Sequence, residues 1–81
     1  MTRKEYRALT EKYNMNMLTE EITGQNWGYY LDTDHYIDEL DELADKIDCR
    51  PVVCERLKLG GTIRYKLVPP SDWFDLWGLK D

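Results

Sequence analysis

The side chains in this chain that could do thiolate, imidazole or metal chemistry are few: His35, the lone histidine, and the cysteines Cys49 and Cys54. A cysteine nucleophile needs an adjacent base and an electropositive setting, whereas His35 stands just ahead of a run of acids. It is expected to sit exposed at a helix start rather than act as a base. A zinc site would have to gather His35, both cysteines and a carboxylate without the two-residue cysteine spacing of structural sites. Asp32-Thr33-Asp34 resembles the opening of a calcium loop, but Tyr36 and Ile37 follow where such a loop needs a polar ligand and a glycine turn. Gly60-Gly61 lacks both the phosphate-cradling pattern and a following helix. No enzyme activity, cofactor or metal is therefore expected.

Carboxylates are abundant. Asp32, Asp34, Asp38, Glu39, Asp41, Glu42, Asp45 and Asp48 face Lys46 alone, so residues 32–48 carry −7 in a chain whose net charge is −5. A row of carboxylates on one helix presents negative charge at spacings comparable to backbone phosphates. The chemistry this allows is recognition of a basic, nucleic-acid-binding surface on a partner protein. Small phage and mobile-element inhibitors of CRISPR or restriction machinery work in this way, an analogy of class that rests on no matching residue motif. The expected partner-binding residues are Asp34, Asp38, Glu39, Asp41, Glu42 and Asp45, together with Trp73 and Trp77. Tryptophan-rich patches concentrate binding energy. Neutralising Asp38, Asp41, Glu42 and Asp45 together is expected to abolish partner binding and leave the fold intact. The simpler alternatives are a solvated acidic face and a tryptophan pair that closes the core.

A second reading uses the bases. Arg56, Lys58, Arg64 and Lys66 fall in a predicted hairpin whose face could contact phosphates, as the wing of a small DNA-binding transcriptional regulator does. The acidic helix immediately before that hairpin argues against it, since it would repel DNA, so direct nucleic-acid binding is disfavoured. A third reading is a homo-oligomer joined through residues 73–77.

The elements that must position these residues follow from periodicity and caps. Thr2 with Glu5 three residues on is a capping box, and Tyr6, Leu9, Tyr13 and Met17 follow near one helical face. Asn14 and Asn16 admit a break, after which Thr19-Glu20-Glu21 reads as a fresh helix start. Trp27 to Leu31 reads as a short strand. Ile37, Leu40, Leu43, Ala44 and Ile47 space an amphipathic helix over 34–47, with Thr33 or Asp34 as N-cap.

Pro51 to Val68 reads as a hairpin about Gly60-Gly61. A two-residue turn would pair Leu59 with Thr62 and Lys58 with Ile63 and mix the faces. A three-residue loop pairs Leu57 with Ile63 and Val53 with Leu67, gathers the apolar side chains, and is preferred. That register places Arg56, Lys58, Arg64 and Lys66 together on the opposite face. Ser71 then caps a closing helix, Asp72 to Trp77, with Trp73, Leu76 and Trp77 on one side.

With 42% hydrophobic and 33% charged residues spread along 81 positions, the chain should fold as one domain, 1–81, around one core. The expected architecture is α+β, in the order α-β-α-β-β-α, with helices on one face of a two- or three-stranded antiparallel sheet. If Cys49 and Cys54 lie along one strand they are roughly 16 Å apart, too far for a disulfide. No signal-peptide pattern precedes them, no apolar run is long enough for a membrane, and a reducing, cytoplasmic setting is expected.

Overall fold

Thr2 Oγ1 accepts the Glu5 amide and Glu5 Oε1 accepts the Thr2 amide, both at 3.1 Å, closing the capping box that opens the first helix. The structure, a computed structural model, describes residues 1–46 and 51–80. Helix α1 runs Arg3–Lys12. It stops because Asn14 takes a left-handed φ of 49°, which asparagine tolerates. The Asn14 and Met15 amides then bond back to the Glu11 and Thr10 carbonyls, a Schellman stop.

Beyond that stop the chain enters a strand, β1 (Asn16–Thr19), rather than a second helical segment. Glu20 starts no helix. Its carboxylate accepts the Ile22 and Thr23 amides at 2.9 and 2.7 Å and folds residues 20–25 into a turn, because a short acidic side chain beside free amides competes well with one helical turn. Strand β2 (Asn26–Thr33) is longer than sequence periodicity implies. Helix α2 (Asp38–Asp45), hairpin strands β3 (Val53–Leu59) and β4 (Thr62–Val68), a 3-10 turn at Ser71–Trp73, and a two-residue hairpin of β5 (Phe74–Asp75) and β6 (Gly78–Leu79) complete the order.

The four long strands form an antiparallel sheet in the order β1-β2-β4-β3. This corrects the expected α-β-α-β-β-α chain with a smaller sheet. The discrepancy has two sources. Residues 16–19 zip onto β2, and residues 74–79 form a hairpin in place of the closing helix. In the tail, Asp75 Oδ1 accepts the Trp77 and Gly78 amides at 2.8 and 2.9 Å. An isolated helix of six residues is marginal, and this side-chain turn outcompetes it. Ser71 caps nothing, and Pro70 occupies the position before the 3-10 turn.

Helix α2 also differs from the 34–47 expectation. It begins at Asp38 after Ile37, with no side-chain cap, and Asp34 lies in the bend before it. Ile47, Asp48, Cys49 and Arg50, to which the sequence assigns the helix end and part of its charge, lie outside the described residues.

The hairpin register is the two-residue one, with Leu59 opposite Thr62, Lys58 opposite Ile63 and Val53 opposite Val68. Gly60, at φ 64°, supplies the left-handed turn position. The rule that apolar residues gather on one face fails because β3 is an edge strand. Its inward position at Arg56 is filled by an ion-paired guanidinium under α2, and Leu57 and Leu59 turn outward. The four hairpin bases are therefore divided, Arg56 and Lys58 on the inner face and Arg64 and Lys66 on the outer.

The core lies between the helices and the inner face of the sheet. Ile63, Tyr65 and Leu67 alternate inward along β4 and are at most 5% exposed. Tyr6 of α1 is fully buried, with its ring edge-on to Tyr29, Trp73 and Phe74 at 6.0, 5.9 and 6.2 Å. Its hydroxyl donates to the Leu67 carbonyl at 2.7 Å, and burial raises its pKa, so it stays a donor. Gly28 lies over the same carbonyl from the other face. A Cβ there would stand 2.9 Å from Leu67 O and 3.2 Å from Leu18 Cδ1.

Gly28→Ala should therefore push β2 off β4 and cost about 1–3 kcal/mol. Tyr6→Phe should cost about 0.5–1.5 kcal/mol by removing a buried hydrogen bond. Both are read from urea unfolding midpoints, and unchanged midpoints would refute these roles.

Candidate functional site

The sequence places one long acidic stripe on a helix, but the structure divides it into three groups. Asp41 and Asp45 face the sheet. Asp41 Oδ1 accepts the Tyr65 hydroxyl at 2.6 Å and Arg56 Nη1 at 3.0 Å, and Asp45 Oδ1 accepts Arg56 Nη2 at 3.0 Å. Glu39 turns toward α1, where it accepts Lys12 Nζ at 2.7 Å and the Tyr13 hydroxyl at 2.9 Å. Asp38 and Glu42 are exposed and form no ion pair among the described residues. Asp34 is apart from all of these, bonded to its neighbour His35 at 2.8 Å.

These partners set the proton affinities. The Tyr65 hydroxyl, with Arg56 beside it, holds the Asp41 carboxyl below its ordinary value of 3.8. Lys12 and then Tyr13 hold Glu39 down in the same way. Burial, reinforced by the bond to Asp41, raises the Tyr65 phenol, which therefore stays protonated. Asp41 and Asp45 raise the Arg56 guanidinium further.

What α2 presents outward is one wall of a groove of about 600 Å³. Glu39, Glu42, Leu43 and Lys46, spaced i, i+3, i+4 and i+7, form that wall, and the exposed Asp45, bonded to Arg56 on its sheet side, borders it. Glu5 and Leu9 of α1, with Met1 just before its N-cap, form the other. The Lys12–Glu39 ion pair ties the two helices together. The lining thus combines apolar Met1, Leu9 and Leu43 with four acids, Glu5, Glu39, Glu42 and Asp45, against Lys46. This composition suits a segment that is apolar on one side and cationic on its edges. Among the described residues no three His, Cys, Asp or Glu side chains converge as a metal site, and no helix is long and apolar enough to cross a membrane.

The tryptophans separate. Trp73 is 9% exposed and belongs to the core, with the Arg3 guanidinium 5.8 Å from its ring, while Trp77 is 87% exposed at the tip of the β5-β6 turn. A shared face on a closing helix does not exist. Three of the four bases that could have formed a phosphate-binding wing are occupied within the molecule, while Lys58 is exposed. Arg64 is bidentate on Asp32 at 2.7 and 2.9 Å, Arg56 is held by Asp41 and Asp45, and Lys66 lies 4.0 Å from Glu55.

Sequence reasoning missed Glu5, Met1 and Leu9 as functional candidates. Glu5 read only as a capping residue, and nothing in local sequence shows that Met1, Glu5 and Leu9 lie opposite the α2 stripe at 39, 42 and 43. Comparison with protein families, with curated proteins and with solved structures produced no match. The fold is that of a small α+β protein, with a four-stranded antiparallel sheet, a two-stranded hairpin and an acid-lined groove between its two helices.

Because the folded-state pKa of Asp41 lies below 3.8, its contribution to stability is complete above that value and is lost as pH falls through the depressed one. Thermal melts should therefore show stability dropping below about pH 4. Asp41→Asn should melt lower than the parent at neutral pH and show a smaller acid drop. Parallel pH profiles for the two proteins would overturn the assignment.

Proposed function

We propose that this chain is a non-enzymatic binding protein of the kind that phage and mobile elements use as inhibitors. The groove between α1 and α2 takes a lysine- or arginine-rich amphipathic segment from the nucleic-acid-binding surface of a partner protein. The observation that carries this reading is the pairing of an apolar lining, Met1, Leu9 and Leu43, with a carboxylate rim in which Glu42 has no ion pair among the described residues, while Glu39 and Asp45 are shared with Lys12 and Arg56 and Glu5 with the Thr2 amide. Apolar contact supplies affinity, and the rim charge supplies orientation and on-rate. The basic partner is favoured over nucleic acid by the −5 net charge and by the arginines already tied to internal carboxylates. With two cysteines in 81 residues there is no disulfide framework in the sequence, which suits a reducing compartment, and we read the protein as cytoplasmic.

The roles of the carboxylates decide which substitutions are informative. Asp41 and Asp45 anchor α2 through Arg56, so neutralising Asp38, Asp41, Glu42 and Asp45 together would loosen the helix as well as remove charge. Glu42 is the clean position, being exposed, on the groove wall and unpaired among the described residues. Glu42→Lys should keep the parent melting temperature and weaken binding of a synthetic lysine/leucine amphipathic peptide about tenfold or more. The parent affinity should also fall steeply with salt. Fluorescence anisotropy of the labelled peptide reads both, and an affinity indifferent to the substitution and to salt would remove the groove from consideration.

A further inference from the structure

Both helices and the β5-β6 hairpin pack on the inner face of the sheet, as the contacts of Tyr6, Tyr29, Phe74 and Tyr65 show. The outer face is left open and is unusually apolar. Val53, Leu57 and Leu59 point outward from β3 at 56, 38 and 51% exposure, Trp27 is 41% exposed, and Tyr30 and Val68 are half-buried beside them. The register shift between Leu18 and Thr19 is a bulge that brings Trp27 onto this face, where the Lys66 ammonium lies 5.5 Å from its ring. At Gly28 the absent side chain lets Leu18 and Val68 close over the backbone, so the surface stays level across β1, β2 and β4.

The charges on this face are already compensated. Arg64 is bidentate on Asp32 and stacks on Tyr30 at 4.6 Å, and Lys66 is shared between Glu55 and Trp27. Two cations against two acids leave no net charge to attract a charged partner. Both aromatic rings carry a cation, so nucleic-acid bases could stack there only by displacing Arg64 and Lys66, against the repulsion of an acidic chain. Elsewhere the molecule's negative charge keeps copies apart. At this face two copies meet without like-charge repulsion and cover apolar surface.

We propose that the open face of the sheet is a self-association surface, at which two copies of this chain stack sheet against sheet. Three strands of seven or eight residues and the four-residue β1, at about 3.3 Å per residue and about 4.8 Å spacing, make a face of roughly 400 Å². Stacking two such faces removes on the order of 1,000 Å² of accessible surface, near the lower bound for a specific interface. The sheets then lie about 10 Å apart and rotated by about 30°. A two-fold axis through β4 lays the β3 leucines of one copy over Tyr30 and Trp27 of the other, a self-complementary contact. The two α1-α2 grooves then face outward on opposite sides of the dimer. The inference does not depend on what the grooves bind.

Sedimentation equilibrium of the intact chain from micromolar to near-millimolar concentration tests it. The mass should rise with concentration from 9.7 kDa toward twice that value. Leu57→Glu and, separately, Leu59→Lys should each weaken association about tenfold or more. Both positions are exposed in the single chain, so melting of the dilute protein should be unchanged, and Glu42→Lys in the groove should leave dimerisation as it was. A chain that stays at 9.7 kDa throughout, or a dimer indifferent to both leucine substitutions, would overturn the proposal. So would binding of a labelled single-stranded oligonucleotide that Lys66→Glu abolishes, which would assign the face to nucleic acid.

Discussion

The rest of the molecule hangs on the Tyr65 hydroxyl. Tyr65 is 1% exposed on the inner face of β4, and its oxygen accepts the Ile37 amide at 3.0 Å while donating to Asp41 at 2.6 Å. The first of these bonds fixes where α2 begins, in place of a side-chain cap, and the second fixes its rotation. Once Asp41 is turned to the sheet, Asp45 one turn later must face the same way, and the two carboxylates bracket Arg56. Tyr6 does the corresponding work for α1, reaching the Leu67 carbonyl two residues along the same strand. One central strand thus orients both helices through two buried hydroxyls, each satisfied by partners that a shifted register would remove.

That constraint decides which charges remain for a partner. A helix bearing this many acids is costly if all of them face one another in solvent. Here Arg56 pairs with Asp41 and Asp45 and Lys12 with Glu39, and Asp38 and Glu42 stay exposed without an ion pair among the described residues. The same pairing explains the register of β3, whose inner position is filled by a guanidinium instead of a leucine. Its leucines are consequently left on the open face. The acid-rimmed groove and the apolar sheet face are two outcomes of a single packing decision, taken where α2 meets the β3-β4 hairpin.

Much of the local structure was legible from sequence. The capping box at Thr2 and Glu5, the apolar spacing of Leu40 and Leu43, the strand character of Trp27 to Leu31 and the glycine turn at residues 60–61 are short-range signals read directly from residue type. The misreadings share a physical cause. Residues 16–19 became a strand because β2 offered a pairing edge, and residues 72–77 failed to become a helix because Asp75 captured the amides a helix would need. The hairpin register was misjudged because the criterion of gathered apolar residues ignores an ion pair between the sheet and α2. Trp73 and Trp77, four apart in sequence, looked like a pair and ended at opposite extremes of burial.

By itself, then, the sequence determined an acidic pole over residues 32–48, a mixed α and β character, and scarce means for acid-base or thiolate chemistry, since these depend on composition and on interactions within a few residues. Tertiary structure alone decided which acids point outward, that Met1, Glu5 and Leu9 stand across from Glu39, Glu42 and Leu43, and that Trp27, Leu57 and Leu59 share an uncovered face. Each of those facts is a distance between residues far apart in the chain, and such distances are set by how helices and strands pack, which local residue spacing does not encode.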